Sequence, residues 1–586
     1  TIQYGVDQLS AGDTLIVHAS ATPYKGNVSI VVSGTSANWI TIRGADGAKV
    51  KVSATLEASS RGFNFVSTAQ YVYATNFECE GFLYGIRLND GNQHIVLDDI
   101  ELDGNDTGGY GLKIGGFEAT PNGANNCYFR NLDIHNATGY GVHMITGTQD
   151  IVFDNCVAHH NAGDGFAGRS SISSPYYLTN LYFIDCESHS NAGDGFDIGG
   201  RYGSDVFKNC ISRDNGGIQG VGFKTWGTDV WFVNCLVHDN AYNGMNIKNY
   251  WPANVYVLNC NFINNASGGS QIVAVISNTE GDGTVNYMDE VDLYLYNNIF
   301  MMDGTGAEYK RRAVEFYHTN AETKESNNNY FFSPTNAKAF QFRDNLATYE
   351  TYYLSDIGAG NAWHTDTGHD ADSFSRNTAS DGLADPGFTN LANDDYTLID
   401  TSLAVDAGTD VGVNYDILGS LRPQGSTFDI GAFEYIPTDT VPPILSNSSP
   451  TGTLTAGTTQ TTISLNTNET ATCKYSTTPN TPYASITNTF STTGGTTHSQ
   501  TITGLSDGNN YNYYVRCIDE ANNPNTADFN ISFSVASSPL PTTYNILDFA
   551  QLIIDWLATA VSTADLNNDG VVNTRDLGII MSSWEG

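Results

Sequence analysis

Short runs in which apolar and polar residues alternate recur along the chain, as in Leu181-Tyr-Phe-Ile184 and Val230-Trp-Phe-Val233. A period of two marks strands with one buried face. The runs lead into one phrase, Asn or Asp followed by Cys and, five positions on, Asn. Its copies are Asn155-Cys156 with Asn161, Asp185-Cys186 with Asn191, Asn209-Cys210 with Asn215, Asn234-Cys235 with Asn240 and Asn259-Cys260 with Asn265. A phrase repeating at most 30 residues apart predicts a solenoid, and strands of this length make it a parallel β-helix. Glycines 85, 111, 141, 165, 195, 222 and 244 span 159 residues in six steps, about 26.5 per coil. Each precedes an apolar residue (Ile86, Leu112, Val142, Phe166, Phe196, Phe223, Met245) that is expected to point inward, so the next residue points outward. The repeated Cys read as small inward hydrophobes and the repeated Asn as turn ladders, with neither metal ligation nor disulfides required.

The pattern changes after the repeats. Residues 384–435 resemble the closing segment of secreted right-handed β-helix proteins, and Ala11-Gly-Asp-Thr-Leu15 resembles their opening segment, which bounds the helix body at 1–436. A linker at 437–443 leads to a Thr/Ser-rich block of alternating strands, 444–536, that resembles a fibronectin III or Ig-like β-sandwich. Cys473 and Cys517 in that block leave a disulfide and two free thiols equally open. A second linker, 537–543, leads to the tail, 544–586, where Asp565 to Asp576 reads as a calcium loop. Oxygen donors from Asp565, Asn567, Asp569, the Val571 carbonyl, Asn573 and Asp576, with Gly570 for the sharp turn, suit a hard cation. An Asp in the last place followed by an apolar helix resembles a dockerin repeat, with Phe549 to Leu557 as the helix of a partner repeat whose loop is missing. That resemblance implies a cohesin partner; the alternative is a calcium-stabilised plug. The expected fold class is thus all-β: a right-handed parallel β-helix, a small β-sandwich and a short helical calcium-loop module.

Composition narrows the partners. With 25 Lys+Arg against 63 Asp+Glu the net charge is −38, which excludes a sequence-independent nucleic-acid binder and disfavours an anionic membrane surface. No stretch of 18 consecutive apolar residues is present, so no membrane span is expected, and the absence of a basic, apolar leader predicts a mature secreted protein.

Against that acidic background, the outward column reads Arg87, Lys113, His143, Ala167, Asp197, Lys224 and Asn246, and the next outward column adds Arg169, Trp226 and Lys248. A cationic strip on an acidic protein predicts a polyanionic substrate. Asp164 and Asp194 stand in the turn before their strands, Asp197 follows on the strand, and Lys224 falls directly above Asp197. Converging carboxylates need a cation, and hard oxygens favour Ca²⁺. Here Asp194-Gly-Phe-Asp197 and Gly222-Phe-Lys224 resemble the family-9 polysaccharide lyases, β-helix enzymes acting on pectate and related uronate polymers. The resemblance implies Ca²⁺ on Asp194 and Asp197, with Asp164 a weaker match, and Lys224 as the base that removes a proton. Where the family tends to carry a further acidic residue this chain has Gly193, so the site is either one ligand short or draws on Asp214. Arg87, Lys113, His143, Arg169, Arg201, Trp226 and Lys248 are expected to hold substrate. Cations near Lys224, Arg169 and Arg201 among them, are expected to lower its pKa. Two other readings stay open: a non-catalytic carbohydrate-binding or adhesive β-helix, and a glycoside hydrolase or uronate epimerase on the same scaffold.

Overall fold

Each repeat closes one coil because its phrase contains two corners. In a computed structural model of the chain, the first residue of the phrase is left-handed: φ is 51° at Asn155, 52° at Asp185, 53° at Asn209, and 54° at Asn234 and Asn259. The residue before the final Asn is left-handed too, at His160, Ser190, Asp214, Asp239 and Asn264. Asn and Asp tolerate this region better than other residues with a Cβ, which explains the first position. The structure describes 1–586 except 48, 55–60, 106–108, 116–122, 170–176, 200–202, 217–219, 249–252, 266–271, 278–290, 303–311, 318–321, 335–336, 345–347, 377–383, 438, 539–546, 548–549, 553–554, 556–563 and 584–586.

The chain divides into two units, Thr1–Pro437 and Thr438–Gly586. In the first, the described strands form a network of 13 and a network of 22, besides a two-stranded antiparallel pair, Phe388–Asn390 with Asp395–Leu398. Every pairing in the two networks is parallel except that of Lys338–Asp344 with Thr348–Tyr353, so the unit is a parallel β-solenoid. One coil shows the plan: Phe196–Ile198 belongs to the 13-strand sheet, and Ser204–Lys208 and Ile211–Arg213 to the larger network.

Identical positions stack from coil to coil. Phe166, Phe196 and Phe223 form one ladder with ring centroids 4.9 and 4.7 Å apart. Phe153, Phe183, Phe207 and Phe232 form a second at 5.2, 5.0 and 4.9 Å. The two meet edge to face at 5.5 Å between Phe183 and Phe196, a geometry that aromatic quadrupoles favour. Cys156, Cys186, Cys210, Cys235 and Cys260 are buried free thiols in the same interior. The final asparagines form a buried amide relay, Asn161 to Asn191 at 2.9 Å, Asn191 to Asn215 at 3.0 Å, and Asn215 to Asn240 and Asn240 to Asn265 at 2.9 Å.

The segment after the last coil turns back. Trp363, on the helix Ala362–Thr367, stacks on Phe340 at 4.2 Å and caps the interior. Beyond it, Phe388, Tyr396, Leu398, Ile430 and Phe433 form a second apolar cluster with Leu236, Ile263, Ile299 and Tyr330, so 384–435 runs as a strap along the outside of the coils. Left-handed corner asparagines hold it: Asn234, Asn297 and Asn328 donate to the carbonyls of Tyr415 (2.6 Å), Thr409 (2.7 Å) and Ala407 (3.0 Å). Inside the strap a fully buried Arg422–Glu434 pair at 2.9 Å braces its loops.

The second unit carries seven hydrogen-bonded strands around Ile463, Leu465, Val515, Ile531 and Phe533. Its 17-residue strand Gln460–Ser476 pairs first with Gly495–Thr503 and then with Asn510–Asp519, after a register shift between Asn466 and Ala471. Cys473 and Cys517 face each other on paired strands and form a disulfide, which decides between the two readings left open by the sequence. In the tail, the helix Thr574–Ser582 follows the Asp565–Asp576 loop. Most of the expected helix from Phe549 to Leu557 lies outside the described residues. Among the described residues no helix is long and apolar enough to cross a membrane.

Candidate active site

The 13-strand sheet aligns the outward column in register. Arg87 pairs with Lys113, Lys113 with His143, His143 with Ala167, Ala167 with Asp197, Asp197 with Lys224 and Lys224 with Asn246. Coils are about 4.8 Å apart, so Lys113 and Lys224 are about 19 Å apart along the sheet.

Two residues before the inward residue of each coil lies another column. It begins Tyr84 and Tyr110, the first residues of the strands Tyr84–Leu88 and Tyr110–Ile114, and continues Tyr140, Asp164, Asp194, Val221 and Asn243, which precede theirs. The three tyrosines stack at 5.8 and 5.5 Å. Lys113 Nζ lies 5.3 and 5.4 Å from the Tyr84 and Tyr110 rings, and His143 packs against Tyr110 and Tyr140 at 4.7 and 5.2 Å. Arg87 is 5.7 Å from Tyr84 and largely buried, and that burial, with Arg61 nearby, lowers its pKa. The tyrosine ladder beside the outward column is a feature that the sequence reading missed. Its signal was available as Tyr-Gly before the inward residue in three successive coils.

Where the tyrosines stop, carboxylates begin. Asp164 Oδ1 accepts from the Asp194 N–H at 2.8 Å, and Asp194 Oδ1 accepts from the Val221 N–H at 2.9 Å. The second oxygen of Asp194 and that of Asp197 hold Lys224 Nζ at 3.0 and 2.9 Å. Side-chain exposure is 15% for Lys224, 7% for Asp194 and 2% for Asp197, so this is a desolvated cluster rather than a surface ion pair. Trp226 flanks it, its ring 5.5 Å from Nζ. Each of Asp164, Asp194 and Asp197 offers a carboxylate oxygen within 4.8 Å of the others.

Among the described residues, two of the three carboxylates hold the Lys224 ammonium. Burial raises the Asp194 pKa and Asp197 raises it further, against the opposing pull of Lys224. At Lys224, burial favours the neutral amine, but the fields and hydrogen bonds of Asp197 and Asp194 outweigh it and the pKa rises. The expectation of a lowered lysine pKa is therefore reversed, because the groups nearest Nζ are anions.

Asp214 does not join the trio. It occupies a left-handed corner at φ 52° and pairs with Arg213 at 2.9 Å. The glycine at 193 has a steric reason: a Cβ there would come within 2.2 Å of Asp164 Oδ1 and 2.8 Å of the Asp164 N. The Asp164 carboxylate fills the space that a side chain at 193 would need. Arg201 lies outside the described residues, and so do the side chains of Arg169 and Lys248, whose backbones continue the strands Phe166–Arg169 and Met245–Lys248.

In the tail loop, backbone N–H groups gather the expected donors. Asp565 accepts from Asp569 at 3.2 Å and Gly570 at 2.8 Å, Asn567 accepts from Asp569 at 2.9 Å, and Asp569 accepts from Val571 at 3.1 Å. Asp576, fully buried, accepts from Leu566, Asn567 and Asn573 at 2.8, 3.1 and 2.9 Å. The Asn573 amide donates to the Val571 carbonyl at 2.9 Å, and Gly570 makes its turn at φ 88°.

A family model described as a right handed beta helix region matches residues 116–300. No curated protein sequence matches the chain. Among solved structures, tailspike protein 2 of an Escherichia coli O157:H7 bacteriophage is similar at 10% identity, covering 91% of this chain and 65% of its own, with a TM-score of 0.31. The catalytic domain of a GH87 α-1,3-glucanase in complex with nigerose is 14% identical over 57% of this chain and 64% of its own, with a TM-score of 0.28. A mannuronic acid specific polysaccharide family 6 lyase from the human gut microbiota is 11% identical over 58% of this chain and 79% of its own, with a TM-score of 0.28. The chain thus spans less than two thirds of the length of the first two.

Proposed function

We propose that the β-helix is a calcium-dependent lyase that cleaves an acidic, uronate-containing polysaccharide outside the cell by β-elimination, with Lys224 as the base. The observation that carries this reading is the position of Lys224 Nζ, 3.0 and 2.9 Å from two buried carboxylates. Asp164, Asp194 and Asp197 suit Ca²⁺ because each offers a hard carboxylate oxygen within 4.8 Å of the others. Bound there, the ion would supply Lewis-acid stabilisation of the charge that develops on a uronate carboxylate when its α-proton leaves.

The chain's own residues do the rest. In the ion-paired state Lys224 keeps its proton, so the base is off. Once its carboxylate partners are otherwise engaged, burial alone acts on the amine, and burial favours the neutral form. Neutral Lys224 takes the C5 proton, the C5–H electron pair becomes the C4–C5 double bond, and the C4–O bond breaks with its electrons on the leaving oxygen. No water is consumed. Arg87, Lys113 and His143, three to five coils away, would bind substrate carboxylates and set its register; Arg169, Arg201, Trp226 and Lys248 complete the proposed contacts.

The buried Asp194 with its raised pKa favours one rival, a hydrolase using it as proton donor. Incubation with polygalacturonate or alginate separates the two. A lyase produces ultraviolet-absorbing unsaturated uronate, abolished by chelation and restored by Ca²⁺. New reducing ends without that absorbance would establish hydrolysis instead, and no cleavage of any uronate polymer would leave the cationic strip as a binding surface.

A further inference from the structure

A second cluster of titratable groups stands on the larger network, away from the sheet that carries Lys224. Its register places Asp103 beside His135, His135 beside His159, His159 beside His189 and His189 beside Arg213. The three imidazoles stack with centroids 4.9 Å apart at both steps and interplanar angles of 14° and 4°. Two residues upstream on the same face stand carboxylates. Asp133 Oδ1 is 3.0 Å from His159 Nε2, and Glu101 Oε1 is 3.4 Å from His135 Nε2. Side-chain exposures of 13% for His135, 22% for His159 and 48% for Asp133 leave the group open to a small ion.

We propose that Asp133, His135 and His159 form a site for a divalent transition-metal ion, with Zn²⁺ as the best chemical match. One ligand atom of each lies within 4.8 Å of the others. Ring rotation brings such atoms to the edge of about 3.3 Å that a tetrahedron with bonds of about 2.0–2.1 Å requires. Two imidazoles and a carboxylate favour Zn²⁺, Cu²⁺ or Ni²⁺ over Ca²⁺, so the site differs in kind from the all-carboxylate trio. The outer partner that metal-binding histidines use is already in place: His135 Nδ1 is 3.1 Å from Asp103 Oδ1 and 2.9 Å from the Asn136 amide nitrogen, so Nε2, 3.4 Å from Glu101 Oε1, is the nitrogen that would ligate. His159 Nδ1 lies 2.7 Å from His160 Nδ1, so those two share one proton and Nε2 of His159 faces Asp133. An ion held here joins successive coils, which gives it a stabilising role independent of the lyase reading.

The test is a Co²⁺ titration of the full chain with Ca²⁺ in large excess to fill the oxygen sites, followed by displacement with Zn²⁺. Expected are a saturable visible d–d band at one equivalent, its loss with Zn²⁺, and a higher melting temperature with Zn²⁺. His159→Ala should abolish the band. Asp103→Asn, which keeps side-chain volume, should weaken Zn²⁺ binding by about 10- to 100-fold. Absence of saturable Co²⁺ and Zn²⁺ binding in the wild-type chain, or unchanged binding in both His159→Ala and Asp103→Asn, would overturn the proposal.

Discussion

Lys224 is held by Asp194 and Asp197. On the proposed lyase reading this makes its chemistry conditional: the ion pair stores the proton, and a cation on the carboxylates would free the base. Lys224→Ala is expected to lower turnover by about two to four orders of magnitude, the usual worth of a positioned general base. Lys224→Arg should be nearly as inactive, because a guanidinium keeps its proton at any working pH. Single-turnover absorbance assays on both variants, with substrate binding measured separately, check this; an active alanine variant would move the base elsewhere on the strip. The Asp-Gly-Phe-Asp and Gly-Phe-Lys phrases made this geometry legible because register in a parallel solenoid is fixed coil by coil, so spacing from the aligned glycine translates into position. What the sequence could not reveal was which charges would lie nearest Nζ. That depends on side-chain direction and burial, and it reversed the expected pKa shift.

At the scale of the element, the unit of stability is the column. Asn215 donates to Asn240 Oδ1 at 2.9 Å and to the Ser188 carbonyl at 3.0 Å, and accepts from the Asn191 amide at 3.0 Å, all without access to water. Asn215→Ala strands those partners, so a loss of about 2 to 5 kcal/mol is expected, at about 1 to 3 kcal/mol for each unsatisfied buried group. Denaturant unfolding measures it, and a loss below about 1 kcal/mol would mean the relay is dispensable. One column breaks its own rule. Asp205 points inward among apolar neighbours with the Leu181 N–H at 3.2 Å, and burial raises its pKa to about 7. Since the folded-state value exceeds the ordinary one, the folded protein holds this proton more tightly, and stability falls as pH rises from about 4 to 7 and then levels. Asp205→Asn keeps an acceptor for Leu181 and removes the charge. Its gain in melting temperature over the wild type should therefore be larger at pH 8 than at pH 5, and an equal gain at both would show that folding does not raise the Asp205 pKa. The coils and their corners were readable from the repeat, whereas the strap was readable only as a change in pattern. Its path along the outside rests on contacts more than a hundred residues apart, such as Asn297 with Thr409.

Across the whole molecule, of net charge −38, the two calcium sites proposed on the β-helix and the tail loop have effects that are separable by substitution. Every residue named for the lyase site lies in Thr1–Pro437, and the loop Asp565 to Asp576 lies in Thr438–Gly586. In the loop, backbone N–H groups position Asp565 and Asp569, and the exposed Arg575 lies 3.7 Å from Asp569, so bringing the two carboxylates together has only partial compensation until a cation binds. A ligand that binds only the folded state stabilises it by about 2.7 kcal/mol at one hundred times its Kd. Asp565→Ala should therefore abolish a calcium-dependent rise in the thermal transition of the second unit, while the Ca²⁺ dependence of polysaccharide cleavage stays as in the wild type. Asp197→Asn should do the reverse, removing calcium-dependent cleavage and leaving the thermal effect on the second unit intact. Calorimetry and the absorbance assay on both variants, each titrated with Ca²⁺ from chelated buffer, give four measurements. If Asp565→Ala also removed cleavage in a chain whose β-helix transition is unchanged, calcium at the tail would be a requirement of catalysis, and the assignment of one calcium role to each unit would fall.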